Sequence, residues 1–138
     1  MSDLNMTEAF REYGAQLRSR LSDASAIAED GALVLSCWAH VFRPQPGGGL
    51  RYEDSISTWP TNQASRTLLA EHLQVAFDNK LPVRLVIATA KEPPTRGENA
   101  MKGTKSFHIR KDMMGEVVEF DGDRLAVVFR QFKPQPVA

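Results

Sequence analysis

An apolar run with a helical stretch directly in front of it constrains this chain more than any other feature. Residues 83–90 read Val-Arg-Leu-Val-Ile-Ala-Thr-Ala, nearly continuous in apolar character and interrupted early by Arg84. That length and β-branched content are those of an interior strand. Ahead of it, Leu68, Leu69, His72, Leu73, Ala76 and Phe77 recur at intervals of one, three and four, which winds them onto one stripe of a 3.6-residue helix. Pro60 and Thr61 mark the predicted start, because a threonine hydroxyl accepts from the free amides of a first turn. The predicted end is near Asn79 and Lys80, since Pro82 drives Leu81 out of helical conformations. A helix lying on the sheet that its own next strand enters is the predicted nucleus.

The rest of the chain is read against that pair. Thr7 is a predicted helix cap, and Phe10, Tyr13, Leu17 and Leu21 follow on one side of a helix over residues 7–21, docked on the body. The same stripe can dock on a second copy, which makes a homodimer through this helix an expectation. Residues 22–30 are small and acidic and read as a loop. Over residues 32–43, Leu33, Leu35, Cys37, Ala39 and Val41 share one face, expected to be the core, while Val34, Ser36, Trp38, His40 and Phe42 share the other. A loop with two prolines and three glycines follows, and residues 50–58 return as the expected second strand of a hairpin.

Pro93, Pro94, Gly97 and Gly103 make residues 91–104 a long irregular connection. Residues 105–111 alternate again, with Phe107 and Ile109 against Ser106, His108 and Arg110. Residues 116–121 and 124–132 form a predicted hairpin around Asp121-Gly122, with Val118, Phe120, Leu125, Val127 and Phe129 as its buried face. Residues 133–138 carry two prolines and read as a loose tail. The expected fold is a single α+β domain over residues 1–138, with one N-terminal helix, one central helix and a mostly antiparallel, strongly bent sheet, as in a partly open barrel.

Charge narrows function only locally. Seventeen basic and seventeen acidic residues cancel, yet residues 1–30, 31–83, 84–111 and 112–138 carry formal charges of −3, 0, +5 and −2. A neutral chain has no long-range field to steer nucleic acid, although its basic quarter can hold phosphate at contact. The single cysteine, Cys37, allows no internal disulfide, and the first residues lack the basic and apolar regions of a secretory signal. A reducing cytoplasm is expected, with no membrane contact.

No reaction centre is visible. His40, His72 and His108 are far apart and no His-x-x-x-His or Cys-x-x-Cys spacing occurs, so neither metal nor cofactor is expected. Cys37 and His40 fall on opposite faces of a strand. His72, on the apolar stripe, reads as a boundary imidazole with one hydrogen bond. Gly47, Gly48 and Gly49 lack the Gly-Lys-Ser/Thr that would make a phosphate loop.

Binding is what remains. Lys102, Lys105, His108, Arg110 and Lys111 gather positive charge on and before one strand. Trp38, His40 and Phe42, with Arg43, Arg51 and Tyr52 near the hairpin tip, resemble a surface on which bases stack. The first expectation is therefore a small non-enzymatic module that contacts nucleic acid through a basic strand and an aromatic hairpin face. The second is a protein-interaction module or inhibitor, for example one encoded by a mobile element, that blocks a partner's surface. Tryptophan, tyrosine and arginine are also the residues of interface centres. Salt separates the two, since phosphate contacts weaken steeply as it rises.

Overall fold

A computed structural model describes residues 5–17, 24–58, 62–90 and 105–131. In chain order these form α1 (Met6–Glu12), β1 (Ser25–Ile27), β2 (Leu33–Trp38), β3 (Arg43–Pro44), β4 (Leu50–Ser55), α2 (Gln63–Asn79), β5 (Val83–Ala90), β6 (Lys105–Ile109), β7 (Met113–Phe120) and β8 (Arg124–Gln131). The fold is α+β. Its strands make one mostly antiparallel sheet in the order β1-β2-β5-β7-β8-β4-β3, with β6 also paired to β5, and the sheet is not closed into a barrel.

The centre is the pair β2 and β5, which run parallel with Leu33 opposite Val83, Leu35 opposite Leu85 and Cys37 opposite Ile87. Both strands are apolar on both faces. Leu33, Leu35, Cys37, Val83 and Leu85 turn toward α2 and pack with Leu69, Leu73 and Ala76 in the main core. Val34 and Val86 turn the other way, into a smaller core with Ala9 and Phe10 of α1. A strand buried on both sides must lie inside a sheet, and a parallel neighbour needs a crossover. Here α2 lies on that crossover path, immediately before β5.

Local chemistry sets the ends of α2. The Ser65 amide donates to Asn62 Oδ1 at 2.8 Å, so the cap is Asn62, while Pro60 and Thr61 lie outside the described residues. At the other end Lys80 adopts a left-handed conformation, φ 52°, and the Lys80 and Leu81 amides both donate to the Ala76 carbonyl. The N-terminal helix is shorter than its periodicity predicts. Asn5, not Thr7, caps it, in a reciprocal pair with Glu8. It ends at Glu12, capped by Tyr13 just ahead of the left-handed Gly14, φ 77°, and Leu21 lies outside the described residues.

Three pairings depart from expectation. The stretch read as a loop, 22–30, contains β1, which pairs with β2. The hairpin expected between residues 32–43 and 50–58 shrinks to two residue pairs, Arg43 with Arg51 and Pro44 with Leu50. A one-turn 3-10 helix at Ala39–Val41 ends β2 early, and β4 finds its long partner in β8, from Leu50 opposite Phe129 to Ser55 opposite Arg124. Finally, β6 and β7 lie along the same side of β5. Ile109 faces Val86 and Gly115 faces Val83, so three extra residues bulge out between them.

Candidate functional site

The expected basic strand keeps its alternation as far as Ile109. Phe107 and Ile109 pack against the smaller core beneath α1, and His108, opposite Ile87, is exposed. Lys105 opens β6, and Lys102 lies outside the described residues. Arg110 leaves the strand and enters the bulge. Its Nε and Nη2 donate to the two carboxylate oxygens of Asp112, each at 2.8 Å, in the bidentate geometry of a strong charge-assisted pair. Gln131 Nε2 donates to Asp112 Oδ2 at 2.7 Å. The Arg110 amide donates to the Tyr13 hydroxyl at 3.2 Å, and that hydroxyl donates to the Leu85 carbonyl at 2.9 Å. Lys111 Nζ reaches Glu12 Oε2 at 3.4 Å. The Arg110 side chain thus braces the bulge, and Lys111 has a carboxylate beside it in an exposed pair.

The Arg110 guanidinium, ahead of its other neighbours, holds the Asp112 carboxyl well below the usual carboxylate range. A depressed folded-state pKa adds stability above the unfolded-state value, about 3.9, and that contribution disappears as the pH falls. Asp112→Asn is therefore expected to lower the melting temperature modestly near neutral pH, with the gap to the wild type closing as the pH drops below about 4. A gap that stays constant in thermal melts from neutral to acid pH would show that the pair contributes nothing to folding.

The aromatic face is rearranged by the 3-10 turn. Trp38 is partly buried against the main core, and its ring lies 6.1 Å from that of exposed His40. Phe42 turns inward, 5.2 Å from Tyr52 and 6.0 Å from Phe129. Tyr52, expected at the stacking surface, is fully enclosed and has no face to offer a base. Its position follows from β4 pairing with β8, which sets Tyr52 beside Val127 on the core side. Arg43 is exposed on β3. Arg51 is engaged by Glu53 at 2.8 Å and Glu119 at 3.4 Å.

The chemical candidates sit in packed surroundings. Cys37 is fully buried, and that burial pushes its thiol up, away from the thiolate. His72 Nδ1 shares a 2.8 Å hydrogen bond with the buried Ser25 hydroxyl. Among the described residues no three histidine, cysteine or acidic side chains converge on a metal-sized site. Nor is any helix there long and apolar enough to cross a membrane.

A different surface gathers two of the large apolar side chains that stand exposed, Phe77 and Val118, while Ile27 and Val75 are exposed outside it. A groove of about 360 Å³ opens between the end of α2 and the β7–β8 hairpin, walled by Phe77, Val118, Phe120 and Leu125. Its remaining lining is charged: Glu53, Glu119 and Asp121 against Arg124. Phe77 stands next to the buried Ala76, a step of about 100° off the α2 stripe. Val118, expected in the core, is exposed because β7 carries a bulge there. Val117 pairs with Val127 and Glu119 with Ala126, leaving Val118 as the extra residue. Two adjacent valines inside an otherwise alternating strand are the sequence signal of that bulge.

The hairpin tip holds the groove in shape. Asp121 Oδ1 accepts from the Asp123 and Arg124 amides at 2.9 and 2.7 Å, and these bonds keep the Asp121 carboxyl low and charged. Asp123 ties the tip to the end of β4, its carbonyl accepting from the Ile56 amide and its Oδ1 from the Ser57 amide. No protein-family model, curated protein or solved structure matches the chain.

Proposed function

We propose that the chain is a non-catalytic protein-interaction module that receives part of a partner protein in the groove between α2 and the β7–β8 hairpin. The observation that carries this reading is the exposure of Phe77 and Val118, each 36%, as neighbours in one preformed groove. Large apolar side chains gathered in a concave, polar-rimmed patch are what a protein interface centre uses. The nucleic-acid reading loses support at Arg110, whose guanidinium is engaged by both carboxylate oxygens of Asp112. Carboxylates also outnumber cations around the groove, and they repel phosphate.

A photo-crosslinking residue separates the two classes in the native host. Placed at Val118 it should yield an adduct that protease destroys and nuclease leaves intact, while the same residue at His108 should yield none. A nuclease-sensitive adduct at His108, with nothing at Val118, would remove the protein-docking reading in favour of nucleic acid. Retention of the captured partner should also fall only gently from low to moderate salt, as an apolar-centred interface behaves.

A further inference from the structure

We propose that the groove's occupant is a basic segment of a partner protein, an aliphatic anchor flanked by lysine or arginine. This rests on the docking reading above and deepens it. Three carboxylates and one guanidinium line the apolar slot. Arg51, from outside the groove, pairs with Glu53 and Glu119 at 2.8 and 3.4 Å, and Arg124 reaches Glu53 at 3.8 Å, surface pairs that solvent screens. Glu119 has its side chain 71% exposed. Asp121 spends Oδ1 on two backbone amides, and those bonds favour its charged form. A cation flanking an apolar anchor therefore meets Asp121 and Glu119 without first breaking a buried pair.

The same charges select among occupants. A second copy docking groove to groove would bring together two surfaces of the same net negative sign, and like charges across an interface oppose association. A strand of nucleic acid brings phosphate to the same carboxylates. The volume, about 360 Å³, is at the small end of ligand-sized pockets and matches one anchoring side chain with part of its flanks.

Three capped hexapeptides test this on the whole protein: one of lysines around a central leucine pair, one with the lysines replaced by glutamate, and one with the leucines replaced by serine. The readout is the shift of backbone amide resonances on titration. The lysine–leucine peptide should move the amides of Phe77 and of residues 118–124, and should bind at least about tenfold more tightly than either of the others, a difference of about 1.4 kcal/mol. Glu119→Gln, a surface change, should weaken that peptide about threefold and leave the melting temperature unchanged. Equal binding of the glutamate–leucine peptide in the groove would overturn the cation requirement and leave the docking reading standing. No amide shift with any peptide would also overturn the basic occupant. The docking reading would then stand or fall on the adduct formed at Val118.

Discussion

Gly115→Ala should cost about 3 kcal/mol of stability, a fall in melting temperature of roughly 10 °C for a chain of this size. Gly115 faces Phe129 across the β7–β8 ladder and Val83 at the paired position between β7 and β5. A Cβ built there would lie 2.5 Å from Phe129 Cδ1 and 2.6 Å from Cε1, well inside contact distance. The ring cannot simply swing aside, because Phe129 is fully buried with Phe42 edge-on at 6.0 Å. The conflict is one of space between two side chains, so relieving one should relieve both. Phe129→Leu on its own should cost about 1 to 2 kcal/mol for lost packing. In the alanine background it should cost less, giving a coupling of at least about 1 kcal/mol in a denaturation cycle. Additive losses would mean that the ring does not lie over the glycine.

The same residues show which parts of the fold could be read in advance. The helix at residues 63–79 and the strand after it were legible because their apolar periods are long and differ from each other. The α+β class followed from the order of such elements. The pairing of β4 was not legible, since local order suggests a hairpin with the preceding strand and only the whole core reveals β8 as the partner. One signal was present: Val34 and Val86 make β2 and β5 apolar on both faces, which requires each to be interior. β1, at three residues, is too short to carry a period. The expected contact surface was only partly legible for a related reason. Residue type identified Arg110, Lys111 and Tyr52 as binders, but whether a cation or a ring is available depends on partners distant in sequence. Lys111 meets Glu12 across 99 residues, and Tyr52 meets the Trp38 amide across 14. Phe77 and Val118 form the groove for the converse reason, since each is a core-type residue turned outward by a local shift of about one position.

Tyr52→Phe should be the second largest loss, about 2 kcal/mol at neutral pH, although every ring contact is kept. The Tyr52 hydroxyl accepts from the Trp38 amide at 3.3 Å and donates to Asp54 Oδ2 at 3.2 Å. It thereby ties the end of β2 to β4, strands that stand second and sixth in the sheet order. Phenylalanine removes that acceptor and that donor together, in a fully buried position. The alkaline limb gives an independent readout. Burial pushes the Tyr52 phenol well up, so the unfolded chain ionises first as the pH climbs through about 10, and the stability present below that value is lost above it. Replacing Tyr52 should make the high-pH fall in melting temperature shallower without abolishing it, because the Tyr13 phenol is also raised, chiefly by burial. A Tyr52→Phe protein as stable as the wild type at neutral pH, with an unchanged alkaline limb, would mean that the sheet holds its two ends together by packing alone. The Phe42 and Phe129 rings around Tyr52 would then carry what is assigned here to its hydroxyl.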